Sequence, residues 1–200
     1  MNPQTFSTEA ILLTKKNFGD GNINLCLLTS DMGVVRSSAF GGQRLSKRFK
    51  GGIEYFQVFD AEIQENTSQG KTFFNLSCIK SVKHRFDGIT NMVERYITAS
   101  YIQELASMLL NPMEKSGNSK NSYYEAVVGC LERINNAEDK SSMLDEVYDL
   151  SVLLYKDTGF IPQVECTYSA DTKLCRLEHF NSNILEKAPK SFALLSELYS

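Results

Sequence analysis

The chain has 200 residues, of which 42% are hydrophobic and 22% are charged, and its formal net charge at pH 7 is −3. These proportions are ordinary for a folded globular protein and exclude a disordered chain. No hydrophobic run reaches the length of a membrane-spanning helix, and the first ten residues lack the basic-then-apolar order of a signal peptide. Five scattered cysteines, an odd number, fit reduced thiols. We therefore expect a cytoplasmic protein without a membrane partner.

Charge is distributed unevenly along the chain. Residues 1–85 carry eleven Lys and Arg against seven Asp and Glu, whereas residues 86–200 carry ten against seventeen. Such asymmetry between halves is typical of two domains, one of them suited to a polyanion. We place the boundary between Lys83 and Thr90, which predicts a domain of residues 1–85 and another of residues 86–200.

The first domain reads as five strands separated by turn signals rich in Gly, Asn and Asp. The predicted strands are Ala10–Phe18, Ile23–Thr29, Val34–Phe40, Tyr55–Gln64 and Thr72–Val82. Five short strands in this length are typical of a small barrel, of which the OB-fold is the commonest five-stranded form. A five-stranded sandwich or an SH3-like barrel would give a similar pattern.

A basic segment lies between the third and fourth predicted strands. Residues 32–53 contain five cations and no carboxylate, and two Gly-Gly pairs, Gly41-Gly42 and Gly51-Gly52, frame the densest charge. Since phosphate contacts supply most of the affinity for nucleic acid that is bound without sequence preference, we predict a DNA-binding loop. A solvated surface loop is the alternative. The predicted contacts are Arg36, Arg44, Lys47, Arg48 and Lys50, extended by Lys15 and Lys16 of the first strand.

Aromatic residues close to these charges are candidate platforms on which bases stack. Phe18, Phe40 and Phe49 are the candidates, although a phenylalanine is more often a core residue. Phe49 is preferred because Arg48 and Lys50 flank it. No base-reading motif is present, so binding is expected to be independent of sequence.

From Asn91 the apolar residues recur at three- and four-residue spacing, which predicts helices. The predicted helices cover 91–110, 123–134, 142–158 and 190–198, with Ser141 or Ser142 as the N-cap of the third. The chain between Gly159 and Pro189 reads as irregular. The predicted fold class is therefore α+β: an N-terminal five-stranded OB-fold barrel, then a helical domain with an irregular cysteine-containing segment at about 160–188.

Residues for catalysis or for metal binding are few. No nucleotide-binding, paired-histidine or serine-nucleophile motif occurs, so we expect neither an enzyme nor a cofactor. Cys166, Cys175 and His179 lie near one another in sequence, but they lack the closely spaced cysteine pairs of structural zinc sites. Two unliganded cysteines are the favoured interpretation and zinc is the alternative.

The order of these features resembles the RecO family of bacterial recombination mediators and DNA repair proteins. The stretch TEAILLTKKNFGDGNINLCLLTSDMGVVRSSAFGGQRLSKRFKGGIEYF is similar to its amino-terminal OB domain. RYITASYIQELASMLL is similar to its first long helix, and VYDLSVLLYKDTGFIPQVEC to the Leu-rich helix and first cysteine of its zinc-finger region.

The resemblance implies a non-enzymatic protein that binds single- and double-stranded DNA and anneals complementary strands. It also implies contact with single-strand-binding protein and, together with RecR, help in loading RecA in the RecFOR pathway, in association with the nucleoid. Carried over by residue, the DNA surface is Arg36 with Arg44, Lys47, Arg48 and Lys50. Tyr148 and Asp149 stand where many members have an arginine pair, which weakens transfer of a basic pocket for single-strand-binding protein.

Two other functions fit the same residues. An RNA-binding OB-fold protein of the translation apparatus would also carry a basic barrel, and it would prefer RNA if it read the 2′-hydroxyl. A protein–protein adaptor would use the acidic helical half and bind no nucleic acid.

Overall fold

The structure is a computed structural model that describes residues 4–44, 47–49, 52–68, 70–111, 122–156, 159 and 170–199. Within these ranges five strands precede six helices, so the fold class is α+β, as predicted. The strands are β1 (Gln4–Phe18), β2 (Asn22–Thr29), β3 (Gly33–Ala39), β4 (Gln57–Ser68) and β5 (Lys71–Arg85). The helices are α1 (Asp87–Thr90), α2 (Val93–Leu109), α3 (Ser122–Asn136), α4 (Lys140–Lys156), α5 (Ala170–Ile184) and α6 (Lys190–Tyr199).

Two compact units make up the chain. One comprises Met1–Arg85 with Asn111–Glu125, and the other comprises Phe86–Leu110 with Ala126–Ser200. The five strands belong to the first unit, whereas α1, α2, α4, α5 and α6 belong to the second. Among the described residues, no helix combines the length and the apolar character needed to cross a bilayer.

The strands close into a barrel in the order β1-β2-β3-β5-β4. Every neighbouring pair is antiparallel except β3 and β5, which are parallel through the pairs Ser37↔Phe74 and Ser38↔Asn75. β1 completes the closure because residues 4–11 pair with β4 while residues 10–18 pair with β2. A bulge between Leu12 and Thr14 interrupts its pairing with β2. Bulges bend a strand and increase its twist, which suits a strand shared by two neighbours.

The barrel interior is filled by side chains that alternate along the strands. Inward residues include Leu12 of β1, Leu25 and Leu27 of β2, and Val35 and Ala39 of β3, each at most 5% exposed. Apolar burial of this kind is the main favourable contribution to folding.

All five predicted strands are confirmed, but three of them extend three or more residues beyond a predicted end. β1 begins at Gln4 rather than Ala10, β4 continues to Ser68, and β5 extends to Arg85. The added residues are mostly polar and partly exposed, so they lack an apolar signal. They adopt strand conformation because neighbouring strands of the sheet pair with them, as β4 does with residues 4–9.

In the helical unit, α2 contacts α1, α4 and α6, and α5 contacts α4 and α6. The core residues recur at three- and four-residue spacing, as in α2 at Thr98, Tyr101, Ile102 and Leu105. The predicted helices at 91–110, 123–134, 142–158 and 190–198 correspond to α2, α3, α4 and α6.

The prediction of an irregular segment at about 160–188 is wrong for its second half. Residues Ala170–Ile184 form α5, whose buried positions Leu174, Leu177, Phe180 and Asn181 are spaced as a helix requires. The Phe180 ring contacts Tyr155, with ring centroids 5.5 Å apart. The periodic signal was present, but frequent polar residues between its members obscured it.

Two helix starts are fixed by carboxylates. Asp139 precedes α4, and its carboxylate accepts hydrogen bonds from the Ser142 backbone N–H (2.8 Å) and hydroxyl (2.7 Å). Asp139 is therefore the N-cap in place of the predicted Ser141 or Ser142. At α6 the cap comes from another helix, because the Glu104 carboxylate accepts the backbone N–H groups of Lys190 and Ser191, each at 2.9 Å.

Candidate nucleic-acid interface

One face of the sheet points away from the barrel core across β1, β2 and β3. Because core residues alternate with outward ones, the outward positions are fixed by register. We call this the outer face, and its residues are Thr14, Lys16, Phe18, Asn22, Asn24, Cys26, Arg36, Ser38 and Phe40. They form cross-strand rows, since Thr14 pairs with Cys26 and Cys26 with Arg36, while Lys16 pairs with Asn24 and Asn24 with Ser38. No carboxylate belongs to this set.

Two predicted DNA contacts, Lys16 and Arg36, lie in adjacent rows of the outer face, and both are exposed. Within the described part of the chain, neither forms an ion pair. Between them, the Ser38 hydroxyl donates to the Asn24 side-chain oxygen over 3.0 Å. The centre of the outer face is thus polar and cationic.

Arg44 is positioned beside the outer face by the β1–β2 turn. The Gln43 N–H donates to the Gly21 carbonyl over 3.1 Å, and the Gln43 side-chain amide donates to the Asn22 carbonyl over 3.0 Å. A Cβ at Gly21, where φ is +83°, would lie 3.3 Å from Nε of Arg44. The exposed Arg44 side chain therefore lies along this turn.

Arg48 is exposed, but part of its guanidinium has a structural role. Its Nη2 donates to the Phe40 carbonyl over 2.9 Å, and its Cζ lies 5.4 Å from the centroid of the Phe49 ring. Lys47 is exposed beside it. Lys50 and Gly51 lie outside the described residues, so their assignment to a DNA-binding loop stays a prediction.

Phe49 is not the stacking platform that we expected. Phe49 is 1% exposed and its ring belongs to the barrel core, while its backbone forms an isolated parallel β-bridge with Ile79. Burial of the apolar ring stabilises the barrel, and it does not require burial of the neighbouring charge because Arg48 stays at the surface. Phe40, by contrast, is 51% exposed and contacts Phe18 edge to face, with centroids 6.3 Å apart. The available aromatic surface is therefore at the end of β3.

Lys15, another predicted DNA contact, already has partners within the barrel unit. Its Nζ donates to the Ile53 carbonyl over 2.8 Å and forms an ion pair with Glu54 at 3.0 Å. It also lies 5.3 Å from the Tyr55 ring centroid. Strand alternation is the physical reason: Lys15 pairs with the core residue Leu25 and so points to the barrel side, opposite to Lys16.

Two other cations of the barrel, Lys80 and Lys83, are paired with carboxylates. Lys80 pairs with Glu62 at 2.9 Å, and Lys83 pairs with Glu9 at 2.9 Å and Asp60 at 3.4 Å. We call these five residues the paired face. The hydrogen bond with Glu62 raises the pKa of Lys80, and those with Glu9 and Asp60 raise the pKa of Lys83. The paired face and the outer face thus differ in whether carboxylates accompany the cations.

Sequence reasoning missed Phe73 of β5, which is 45% exposed. The next residue, Phe74, packs against the barrel core, so Phe73 points outward. β3 and β5 are parallel, and Ser37 pairs with Phe74. Arg36 precedes Ser37 and Phe73 precedes Phe74, so Arg36 and Phe73 lie at the same level on neighbouring strands. The Phe-Phe dipeptide could have predicted this exposed ring, because strand alternation places only one of two adjacent rings in the core.

Two of the three candidate zinc ligands lie within the described residues. Cys175 and His179 are exposed one turn apart on α5, and Cys175 is a free thiol. Cys166 lies outside the described residues. Within the part of the chain that is described, no three His, Cys, Asp or Glu side chains are grouped as metal ligands. The choice between unliganded cysteines and zinc therefore stays a prediction.

No protein-family model matches the chain. Curated relatives do match, and eight of them share one name, DNA repair protein RecO. The relative from Bifidobacterium animalis subsp. lactis (strain AD011) is 30% identical over 128 residues, which is 64% of this chain and 52% of the relative. The relative from Anaeromyxobacter sp. (strain K) is 24% identical over 155 residues, which is 78% of this chain and 57% of the relative.

A relative from Dehalococcoides mccartyi (strain ATCC BAA-2266 / KCTC 15142 / 195) is 22% identical over 180 residues, covering 90% of this chain and 66% of the relative. The chain therefore spans between about half and two thirds of the length of these relatives. The matches include both the strands and the helices, because they cover up to 90% of the chain. Eight such relatives with one name, at 22–30% identity over 64–90% of the chain, support its membership of the RecO family.

Proposed function

We propose that this chain binds DNA in recombinational repair and holds the sugar–phosphate backbone against the outer face without reading base sequence. The observation that supports this function best is the contrast between the two faces of the barrel. Among the residues that the structure describes, Lys16 and Arg36 have no carboxylate partner, whereas Lys80 and Lys83 are neutralised by Glu62, Glu9 and Asp60. Binding a polyanion releases its counterions and needs cations that are not already paired.

We further propose that the barrel is an OB-fold. Five strands, closure of β1 onto β4 and a parallel β3–β5 contact support this assignment. OB-folds bind oligonucleotides on the face of strands 2 and 3 and on adjacent loops. The outer face and the Arg44 segment against the β1–β2 turn occupy corresponding positions.

The partners and the reaction follow from family membership and are also proposals. The relatives' shared name refers to DNA repair. We propose that the chain binds single- and double-stranded DNA and anneals complementary strands without catalysing a covalent step. We also propose that it contacts single-strand-binding protein and RecR and thereby promotes RecA loading.

A matched pair of double variants tests the DNA-binding face. Lys16→Ala with Arg36→Ala removes two cations from the outer face, and Lys80→Ala with Lys83→Ala removes two from the paired face, so the net charges are equal. Binding of a labelled oligonucleotide is measured by anisotropy across a salt series. The outer-face variant should reduce the slope of log K against log salt by about 1.4 to 1.8, that is, 0.7 to 0.9 for each lost contact.

The paired-face variant should leave that slope unchanged. Equal slopes for both variants and the parent chain would contradict the assignment of the outer face. Adding Arg44→Ala and Lys47→Ala to the outer-face variant should weaken binding further. Competition between DNA and RNA of equal length separates the proposed function from that of an RNA-binding protein, since a site for the 2′-hydroxyl prefers RNA.

Annealing is tested with complementary oligonucleotides, with and without single-strand-binding protein. The parent chain should accelerate annealing without nucleotide hydrolysis, and the outer-face variant should not. If the parent chain binds no DNA at low salt, the proposed function is wrong and an adaptor role is favoured.

A further inference from the structure

Two exposed aromatic rings lie at separate ends of the cationic surface. Phe40 follows β3 and is 51% exposed, and Phe73 lies near the start of β5 and is 45% exposed. Most large apolar side chains of the barrel are buried in its core. Single exposed apolar residues are common on protein surfaces, so it is the position of these two rings beside the cations of the outer face that points to a ligand.

The Phe40 ring is held in place by its surroundings. Its edge-to-face contact with Phe18 and the hydrogen bond from Arg48 to its carbonyl fix both the ring and its backbone. The next residue, Gly41, has φ of +71° and donates its N–H to the Asn22 side-chain oxygen over 2.9 Å. This ring is therefore preorganised, which reduces the entropy lost when a flat partner stacks on it.

Phe73 is placed by the β3–β5 register on the row of Arg36, while Phe40 lies four residues after Arg36 along β3. A strand rises by about 3.3 Å per residue, so the two rings are about 13 Å apart along β3. The row of Lys16, Asn24 and Ser38 lies between them, and Arg36 lies on the row of Phe73 itself. Phosphate contacts are thus available between two aromatic surfaces.

The bases of a duplex are stacked on their neighbours with a spacing of about 3.4 Å, and their flat faces are covered. A protein ring reaches such a face only if the base is unpaired and unstacked. Two separated rings on one cationic face therefore match a single strand, whose bases are free to stack on aromatic side chains.

We propose that Phe40 and Phe73 are two stacking platforms that bind unpaired bases and make the outer face selective for single-stranded over duplex polynucleotide. This inference rests on the proposed function and goes beyond it by naming the form of the ligand and the residues that select it. The cations bind both forms, and the rings add affinity for the single strand alone.

The test compares two probes on the same variants. The first probe is an oligothymidine of about 20 nucleotides, longer than the roughly 4 to 16 nucleotides that one OB-type barrel covers. The second is a duplex of equal length. Phe40→Ala and Phe73→Ala should each lower affinity for the single strand by roughly 5- to 140-fold, the loss expected for one stacked base. Their affinity for the duplex and their salt dependence should not change.

Phe40→Leu and Phe73→Leu repeat the test with side chains that preserve apolar bulk but lack an aromatic face. Phe6→Leu is the control, because Phe6 pairs with Ile63 on the β1–β4 side of the barrel. The emission of a 2-aminopurine base in the single strand gives a second readout, since stacking on a ring quenches it. The quenching should weaken in the Phe40 and Phe73 variants and persist in the Phe6 variant.

Equal losses for single strand and duplex, or no loss for either, would overturn the stacking platforms while leaving DNA binding by the cations intact. A parent chain that binds neither probe would reject the proposed function itself, and the platforms with it. The two failures are therefore distinguishable.

Discussion

Lys15 and Lys16 are consecutive residues of β1, yet their ammonium groups lie on opposite sides of the barrel wall. Lys15 pairs with Leu25 on the core side and is bound to Glu54 and the Ile53 carbonyl. Lys16 pairs with Asn24 on the outer face and has no ion pair among the described residues. One step along a strand therefore separates a structural lysine from a candidate ligand-binding lysine.

This relationship predicts opposite phenotypes for two identical substitutions. Lys16→Met should reduce the salt slope of DNA binding by about 0.7 to 0.9 and leave the free energy of unfolding unchanged. Lys15→Met should lower that free energy by about 1 kcal/mol, because a partly buried hydrogen bond to a carbonyl is lost, and should preserve the salt slope. Urea unfolding and anisotropy titrations on both variants check this, and two identical phenotypes would be incompatible with the alternation.

Phe49 provides a second prediction, which separates a core residue from a binding residue. Phe49→Ala should destabilise the barrel by roughly 3 to 5 kcal/mol, the usual cost of removing a buried aromatic ring. Phe49→Leu should fold and bind DNA with unchanged affinity, because no ring surface faces the ligand. Thermal unfolding and oligonucleotide binding are the measurements. A folded Phe49→Leu variant with weakened single-strand binding would show that the ring contacts DNA after all.

Strand alternation explains how much of the candidate site the sequence predicts. The five strands and the cations Lys16, Arg36, Arg44 and Lys47 were identified from residue type and turn signals, and all four are exposed. Which side of a strand a residue faces depends on its register with its neighbours and on the bulge between Leu12 and Thr14. Sequence alone does not give that register, and for this reason it did not separate Lys15 from Lys16.

The misassignment of Phe49 has a different cause. Its flanking charges, Arg48 and Lys50, suggested a surface position, but Phe49 pairs with Ile79 of β5, which lies far along the chain. The contact that buries it is therefore not local. Phe73 was missed for a related reason, because only the parallel β3–β5 pairing brings it to the row of Arg36.

Glu104 of α2 provides a prediction about pH. Burial alone would raise the pKa of its carboxyl, but hydrogen bonds from the Ser191 hydroxyl and N–H and the Lys190 N–H outweigh burial and lower the pKa below its ordinary value of 4.5. A lowered pKa in the folded state means that the carboxylate stabilises the protein above the unfolded-state pKa. That stability is lost as the pH falls through the folded-state pKa.

Glu104→Gln should therefore lower the free energy of unfolding at neutral pH by about 1 kcal/mol, as removal of a helix cap does. It should also make the stability of the helical unit less dependent on pH in the acidic range below 4.5. Urea unfolding followed by circular dichroism at neutral and acidic pH measures both effects. A variant that lost stability with acid as steeply as the parent chain would assign the acid sensitivity to other carboxylates.

Asn181 of α5 joins two buried hydroxyls in the helical core. Its side-chain oxygen accepts hydrogen bonds from Tyr155 at 2.5 Å and from Tyr101 at 3.4 Å, and all three residues are at most 1% exposed. Replacing the amide with Leu leaves the two phenol groups short of their acceptor. Since loss of a buried hydrogen-bond partner costs about 1 to 3 kcal/mol, Asn181→Leu should lower the free energy of unfolding by an amount in this range.

Tyr155→Phe in the Asn181→Leu background should recover part of that loss, because it removes a hydroxyl whose hydrogen bond to Asn181 is gone, whereas Tyr155→Phe alone should be destabilising. The double-mutant cycle yields a coupling energy of about 0.5 to 3 kcal/mol for residues in one hydrogen-bond network. Urea unfolding of the parent chain and the three variants measures it. Additive effects would mean that Asn181 and Tyr155 act independently, and the stabilising role of Asn181 would then lie in its packing within α5.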